Sequence, residues 1–172
     1  MAYLHGWRFC PRCTTELDVG DGRARCPACG FTAYAHSAPT ANALVEDEEG
    51  RVLLARRAVE PDLGKWDVIG GFLEEHEHPL DGLRREVLEE TGLEVEPVDF
   101  VGATVDWYGD GPDAAATLNL VWAVRIVAGE PAPADDVAEL RWFAADELPA
   151  REELAFEHVA DVLAAWRSLR AQ

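Results

Sequence analysis

The chain has 172 residues, 48% of them hydrophobic and 28% charged, a composition typical of one globular domain with room for a small appendage. A formal net charge of −18 disfavours binding to duplex DNA, because nucleic-acid binders carry basic surfaces that replace counterions. No apolar run approaches the roughly 18 residues of a membrane span, and the N-terminus lacks a secretory signal. We therefore expect a cytoplasmic protein that acts on a small molecule, with no membrane or nucleic-acid partner; a homodimer stays open.

All four cysteines lie in residues 1–36, as two Cys-Pro-x-Cys pairs flanking twelve residues. Two residues between paired cysteines let both thiolates face one ion, and two such pairs complete a tetrahedral site suited to Zn²⁺. Two disulfides are the alternative, which the missing secretory signal disfavours. Because this segment is too small to bury a core, we expect zinc to supply its folding energy. The prediction is a structural zinc ribbon over residues 1–36 with the ligands Cys10, Cys13, Cys26 and Cys29.

The second predicted domain covers residues 37–172 and begins with a strand–turn–strand pattern. Residues 40–45 read as one strand and residues 51–56 as the next, so the sequence predicts a hairpin. A short strand over 66–69 then leads into the Gly70-Gly71 pair.

A helix is predicted from Pro79 to Thr91, because Pro79 suits a first turn and Gly92 suits a C-terminal end. Three apolar residues at helical spacing are expected to face the core: Leu80, Leu83 and Val87. Gly82 within it costs about 1 kcal/mol relative to alanine, so the helix must depend on packing.

The remaining elements are two longer strands over 95–107 and 117–127, a strand over 140–143, a helical turn over 144–148 and a closing helix from Leu154. Strands and two helices in this order predict an α/β fold in which a mixed β-sheet lies between α-helices.

The predicted helix carries three carboxylates, Glu86, Glu89 and Glu90, which share one face at spacings of three and four residues. Arg85 stands beside them and can pair with Glu77 in the preceding loop. Hard oxygen ligands select Mg²⁺ or Mn²⁺, which usually take phosphate oxygens as further ligands. The pattern therefore favours hydrolysis of a phosphoanhydride. A solvated acidic helix with Glu–Arg ion pairs is the alternative reading of the helix alone.

The same stretch resembles the Nudix box, G-x5-E-x7-R-E-U-x-E-E-x-G-U with U aliphatic. Nine residues fill its fixed places: Gly71, Glu77, Arg85, Glu86, Val87, Glu89, Glu90, Gly92 and Leu93. The surrounding elements are similar to the Nudix fold over about residues 38–170, and the cysteine segment resembles the zinc ribbon found ahead of some members, NADH pyrophosphatases included. Two departures stand in the loop: Ile69 replaces the usual proline, and His76 replaces the usual glycine.

The resemblance implies residue roles. The catalytic Mg²⁺ would be bound by Glu86, Glu89 and Glu90 with the carbonyl of Gly71. Glu77 and Arg85 would orient these glutamates by ion pairing. A further acid from a later loop often binds metal or acts as the base, and the candidates are Asp135, Asp136 and Glu139, of which Asp136 has the best spacing.

Family members hydrolyse a nucleoside diphosphate linked to another group, and this chain is most similar in layout to a small zinc-ribbon group acting on ADP-ribose or FAD. NADH pyrophosphatases share an S-Q-P-W-P-F-P-type stretch, which residues 94–116 lack, and this absence weakens the NADH reading. A pyrophosphatase acting on NADH, NAD or a dinucleoside polyphosphate is therefore kept as the alternative. An inert nucleotide-sensing regulator is the non-enzyme alternative. Candidate substrate-binding residues are Arg56, Lys65, Trp107 and Tyr108, for which surface charge balance or strand-end packing is the other reading.

Overall fold

The computed structural model describes residues 4, 6–111 and 114–170, without the side chains of 169 and 170. Within those ranges the chain forms ten strands and two α-helices. In chain order they are β1 (Asp18–Gly20), β2 (Arg23–Arg25), β3 (Thr32–Tyr34), β4 (Ala38–Val45), β5 (Val52–Arg57), β6 (Trp66–Asp67), β7 (Ile69–Phe72), α1 (Pro79–Thr91), β8 (Glu94–Tyr108), β9 (Ala115–Ala128), β10 (Val137–Phe143) and α2 (Glu157–Arg170). A 3₁₀ turn, Arg151–Glu153, precedes α2, so the closing helix begins three residues later than the expected Leu154.

The N-terminal segment folds around its own small antiparallel sheet, in the order β1-β2-β3. Its buried residues are few and include two of the cysteines: Leu4, Cys10, Leu17, Ala24 and Cys26. So small an apolar cluster contributes little stability compared with a full core.

The rest of the chain builds two sheets. One is mixed, in the order β7-β4-β9-β8, with β4 parallel to β9 and the other pairs antiparallel. The second is antiparallel, in the order β10-β5-β6. The predicted mixed sheet with two helices is therefore confirmed, with a second sheet that the sequence did not reveal.

The predicted hairpin of residues 40–45 and 51–56 is wrong. The two strands lie in different sheets and share only an isolated bridge between Glu46 and Val52. The reason is that β4 already pairs with β7 on one edge and β9 on the other, which leaves no edge for β5. Alternating side chains on each strand instead face two separate cores, so both strands are covered on both sides.

Two apolar cores lie on opposite faces of these strands. The first packs α1 through Leu83 and Val87 against odd-numbered residues of β4, including Ala41 and Ala43. The second packs α2 against the opposite faces of β4 and β5: Leu44, Val52, Leu54, Val159, Val162, Leu163 and Trp166. This arrangement fixes α1 and its acidic residues against the β4–β7 pair.

The limits of α1 match the prediction, and the structure supplies the reasons. His78 caps the first turn, since its Nδ1 accepts a hydrogen bond from the backbone N–H of Leu80 at 3.3 Å. Gly92 ends the helix with φ of 71°, a left-handed conformation that glycine tolerates. Gly82 is explained by contact, because a Cβ there would lie 2.5 Å from Leu73 Cδ2 and 2.8 Å from Glu77 Oε2. In the described part of the chain, no helix is long and apolar enough to cross a membrane.

Candidate active site

The loop before α1 is tied to the helix by one arginine. Arg85 Nε and Nη2 donate to the two carboxylate oxygens of Glu77, each at 2.8 Å. Arg85 Nη1 donates to Glu86 at 2.7 Å and to Glu89 at 3.1 Å. The hydrogen bonds from Arg85, with one from the N–H of Glu74, lower the pKa of Glu77 to about 2. Arg85 therefore joins Glu77 to two of the predicted metal ligands, as the sequence anticipated.

Glu86 lies directly against Gly71, which is part of strand β7 and pairs with Ala41 of β4. A Cβ on Gly71 would stand only 2.5 Å from Glu86 Oε2, so residue 71 has no room for a side chain while Glu86 keeps this position. Burial raises the pKa of Glu86 above its ordinary value, although the Arg85 hydrogen bond opposes the shift.

Glu90 is the most buried of the three helix carboxylates, with 8% of its surface exposed. Its Oε2 accepts a hydrogen bond from the backbone N–H of Gly70 at 3.0 Å. Burial raises the pKa of Glu90 to about 9, and the negative charges of Asp136, Asp67 and Glu86 add to the effect. A buried acid surrounded by other acids is the environment in which a cation would replace the proton.

Glu86 and Glu90, together with Gly70 and Gly71, border a cleft of about 230 Å³ between α1 and the loop before β10. Asp135 and Asp136 face the glutamates from that loop, which is held to the end of α1 by backbone hydrogen bonds. The N–H of Ala134 donates to the Glu90 carbonyl at 3.1 Å, and that of Ala132 to the Thr91 carbonyl at 2.9 Å. Tertiary contacts therefore bring Asp136 to within electrostatic reach of Glu86 and Glu90.

The donor set of the cleft fits a hard divalent cation. Its lining includes the carboxylate residues Asp67, Glu86, Glu90, Asp135 and Asp136. Carboxylates are ligands that Mg²⁺ and Mn²⁺ prefer. Glu89, the third predicted ligand, is not among the residues that line the cleft; its side chain is 50% exposed and paired with Arg85. Its carboxylate and that of Glu86 are turned toward Arg85. Among the His, Cys, Asp and Glu side chains of the described ranges, the four cysteines form the only group of three or more whose ligand atoms all lie within 4.8 Å of one another.

A second pocket adjoins the cleft and shares six lining residues with it: Arg57, Asp67, Gly70, Gly71, Phe72 and Tyr108. Its walls are aromatic, since Tyr108 lies 5.2 Å from Phe72 and 5.5 Å from Phe156 between ring centroids. The predicted Trp107 also borders this pocket. The pocket encloses only about 50 Å³, so its rings pack on one another beside the glutamate cleft and leave no room for a nucleobase between them.

Arg57 stands where the cleft and the pocket meet. Its guanidinium pairs with Asp67 at 3.2 Å, donates to the Tyr108 hydroxyl at 3.3 Å and lies 5.1 Å from the centre of the Phe156 ring. Burial lowers the pKa of Arg57, but the charge of Asp67 outweighs it and the net shift is upward. Of the described residues, Arg57 is the one arginine or lysine that borders both spaces.

The other predicted substrate-binding residues lie further out. Arg56 donates to the Gly64 carbonyl at 2.8 Å and pairs with Glu139 at 3.3 Å, so both members of that pair point away from the cleft lining. Lys65 pairs with Asp62 at 2.7 Å and borders an open groove beside Trp107. The structure thus places Trp107 and Tyr108 at the pocket and leaves Arg56, Lys65 and Glu139 outside the cleft.

Sequence reasoning missed Arg57, Asp67, Phe156 and His158 as site residues. They come from β5, β6, the segment before α2 and α2 itself, and no local spacing links them. The adjacent arginines, Arg56 and Arg57, alternate in direction along β5, so only the register of the strand distinguishes them.

The four cysteines converge as predicted. The Sγ atoms of Cys10 and Cys29 are 3.6 Å apart and those of Cys13 and Cys26 are 3.5 Å apart, and all four thiols are free. The disulfide alternative is therefore not the arrangement seen. Hydrogen bonds with Thr15 lower the pKa of Cys13 to about 6. The backbone hydrogen bond of Phe31 lowers the pKa of Cys29, but burial and the hydrogen bonds with the other cysteines outweigh it and raise that pKa to about 12. A metal bound here would therefore have to displace the proton of Cys29. The cluster is compatible with a zinc ribbon.

Comparison with known proteins places these features in a family. The NUDIX domain family model matches residues 36–165. The NAD-capped RNA hydrolase NudC of Pseudomonas aeruginosa is 32% identical over 173 residues, covering 96% of this chain and 58% of that protein. The ADP-ribose pyrophosphatase of Methanocaldococcus jannaschii is 28% identical over 128 residues, covering 74% of this chain and 72% of that protein.

A solved structure matches nearly the whole chain. The crystal structure of a NUDIX hydrolase from Nitrosomonas europaea has a TM-score of 0.78 at 27% identity, covering 95% of this chain and 92% of that chain. The chain spans only 58% of the length of the Pseudomonas aeruginosa NudC protein.

Proposed function

Because the chain belongs to the NUDIX domain family, we propose that it hydrolyses the pyrophosphate bond of a nucleoside diphosphate derivative of the ADP-ribose or FAD type, with Mg²⁺ or Mn²⁺ as cofactor. The observation that carries the proposal is the position of Glu86 and Glu90 against the Gly70-Gly71 pair of strand β7, opposite Asp136. The aromatic pocket beside this cleft encloses only about 50 Å³, so a nucleoside would bind across its mouth and not inside it. A solvated acidic helix would not bury Glu90 to 8% exposure beside other acids.

In this proposal the metal is held by Glu86, Glu89, Glu90 and the carbonyl of Gly71. Bound Mg²⁺ neutralises phosphate oxygens and lowers the pKa of water. Glu77 and Arg85 keep Glu86 and Glu89 in place through the hydrogen bonds of 2.7 to 3.1 Å described above. Glu77 and Arg85 therefore act by positioning the metal ligands.

Asp136 and Arg57, which line the cleft opposite α1, are given the roles of proton acceptor and phosphate-binding cation. Asp136 accepts the proton of the attacking water as a bond forms between the water oxygen and phosphorus. The bond from that phosphorus to the bridging oxygen breaks, and the bridging oxygen leaves with the second phosphate. Arg57, at the mouth of the pocket, offers a positive charge to the phosphates.

We further propose that Cys10, Cys13, Cys26 and Cys29 bind one structural zinc ion. Four thiols whose Sγ atoms lie within 4.8 Å of one another match the soft, tetrahedral ligand set of zinc. The small buried cluster of this segment needs such a cross-link to stay folded.

The experiment is a substrate panel with defined products. Purified protein with Mg²⁺ is incubated with ADP-ribose, FAD, NADH, a dinucleoside polyphosphate and dNTPs, and phosphate-containing products are separated. We expect AMP from ADP-ribose or FAD. Glu89→Gln and Glu90→Gln should each lose at least about 100-fold in kcat, while Glu75→Gln, in the exposed loop, should not change it. No turnover of any of these compounds, with nucleotide-dependent DNA binding instead, would show a regulator.

A second candidate is hydrolysis of the pyrophosphate in NADH or in an NAD-capped RNA. It is favoured by the 32% identity to the Pseudomonas aeruginosa NudC protein over 96% of this chain. NADH in the same panel, with an NAD-capped oligonucleotide added, separates the two candidates by their kcat/KM ratios.

A further inference from the structure

One face of the mixed sheet is only partly covered by the helix that packs on it. α1 covers the β4 part of this face, where Ala41 and Ala43 are 0 and 1% exposed. Ala43 pairs with Trp122 of β9, and paired residues of neighbouring strands point to the same side of a sheet. The same face therefore continues from β4 onto β9 and β8, beyond the residues that α1 buries.

Six apolar residues of β8 and β9 occupy this continuation, and we call them the β8–β9 patch. They form three cross-strand pairs: Phe100 with Trp122, Ala103 with Leu120, and Val105 with Leu118. Val105 is 76% exposed, Phe100 55% and Leu118 36%. Ala103 is also exposed, and the remaining two are partly buried. None of the six is charged or polar, although 28% of the chain is charged.

The β8–β9 patch is large enough to form the centre of a protein interface. Applying the exposed fractions to side-chain surfaces of about 150 to 250 Å² gives roughly 400 Å² of apolar surface, a size that often marks a partner site. A stable homodimer buries about 800 Å² on each partner, of which about 65% is apolar. The patch would therefore supply most of the apolar area that such a dimer needs.

The lack of charge on the patch selects the kind of partner. The chain has a formal net charge of −18, so two copies repel each other wherever their carboxylates approach. A nucleic acid or an anionic membrane would require a basic surface, and a basic protein would be attracted to an acidic one. An apolar face without carboxylates is the surface on which two copies of this chain can pack with the least repulsion.

The patch is also complementary to itself. One end is aromatic, with the rings of Phe100 and Trp122 5.2 Å apart between centroids, and the other end is aliphatic. The small side chain of Ala103 lies between the two ends. A two-fold axis that crosses the strands beside Ala103 lays each aromatic end on the partner's aliphatic end. The same axis brings the two copies of Ala103 together.

We propose that the β8–β9 patch is the interface of a homodimer, in which the mixed sheets of two copies pack face to face about this axis. Pairing removes from water the apolar side chains that α1 leaves uncovered, which is the main driving force for association. The inference concerns assembly, so it does not depend on the reaction that the glutamate cleft catalyses.

The first test measures the mass of the full chain in solution by sedimentation equilibrium. We expect the wild type to form a dimer with a Kd of about 1 µM or lower, as interfaces of this size commonly do. Val105→Asp places a carboxylate on the patch and should raise that Kd at least about 100-fold. Val127→Asp, on a valine that is 57% exposed at the far end of β9, is the matched control and should keep the Kd within about threefold.

A charge exchange at Ala103 tests the two-fold arrangement itself. Ala103→Glu and Ala103→Lys each bring like charges together at the axis, so each variant alone should be monomeric. An equimolar mixture should recover the dimer, because opposite charges then meet. Circular dichroism checks that each variant is folded, and this pair decides the question even if Val105→Asp misfolds.

Four results would overturn the inference. A wild type that stays monomeric at concentrations about 100-fold above the expected Kd would leave the patch to a different protein. A dimer that persists in Val105→Asp and in both Ala103 variants would use another surface. Loss of the dimer in Val127→Asp as well would make the added charge, and not the patch, the cause. A mixture of the two Ala103 variants that stays monomeric would exclude the proposed axis.

Discussion

Alanine at position 71 should disable the cleft without unfolding the protein. Gly71 is not among the residues with a positive φ, so its backbone accepts a side chain. The new Cβ would stand 2.5 Å from Oε2 and 2.7 Å from Cδ of Glu86, whereas ordinary contact begins near 3.4 Å. The Glu86 carboxylate must therefore move by roughly 0.9 Å, a displacement of the size that costs about 100-fold when catalytic groups are misplaced.

The effect of Gly71→Ala is expected in kcat and in the Mg²⁺ requirement. A 100-fold loss corresponds to about 2.7 kcal/mol of transition-state stabilisation. Initial rates on the substrate found in the panel, measured across a Mg²⁺ series, should show a lower kcat and a higher half-saturating Mg²⁺ concentration. The midpoint of thermal unfolding should shift by no more than about 4 °C, because the new methyl group meets the far end of the Glu86 side chain and no backbone atom.

Two other glycines provide the controls. Gly20→Ala meets nothing within 4 Å and should change neither rate nor stability. Gly70→Ala meets the carbonyl oxygen of Ala41 and has a φ of +142°, so it should destabilise the fold as a whole. If Gly71→Ala retained kcat within about threefold, Glu86 would not be a metal ligand held by this contact. A loss of stability like that of Gly70→Ala would show that backbone, and not Glu86, meets the new methyl group.

Three further predictions concern the loop, the pocket and the ribbon. His76 has a φ of 67°, so His76→Gly should raise the free energy of unfolding by about 0.5 to 1 kcal/mol while His76→Ala should not, as denaturant titration would show. The pKa of Asp106 is lowered on folding, so its stabilising effect is present above the ordinary aspartate pKa near 3.9 and is lost as pH falls below it. Asp106→Asn should therefore lower the melting temperature at pH 7 and converge with the wild type near pH 3; a constant difference would contradict the assignment. Elemental analysis should find one zinc per chain, and Cys26→Ser should lose it along with amide-exchange protection of β1 to β3; full zinc retention would argue against the four-thiol site.

The sequence by itself determined the features that depend on local spacing. The helix from Pro79 to Thr91 matches its prediction at both ends, because a proline in the first turn and a left-handed Gly92 act through backbone geometry alone. The ion pair between Arg85 and Glu77 could also be predicted from the sequence, because a helix preceded by a short loop leaves these two residues few other arrangements. The same holds for the four cysteines, whose pairing at two-residue spacing needs only local turns.

Features that depend on strand pairing were decided by the tertiary structure. The pattern of β4 and β5 suits a hairpin, yet β4 takes its partners from β7 and the distant β9, because both faces of each strand must be covered by a core. The sequence likewise shows that Gly82 lowers the stability of the helix. Only the structure shows why glycine is needed there, because a Cβ would collide with Leu73 and Glu77.

The aromatic pocket is the part that only the assembled fold could define. Asn42 and Asn119 come from strands 77 residues apart that run in parallel, and His158 comes from the final helix. No period or motif in the sequence links these residues, since parallel pairing and helix docking are set by burial across the whole chain. The sequence determined the chemistry of the Gly71–Glu90 stretch, while the long-range contacts of β4, β9 and α2 decided what lies beside it.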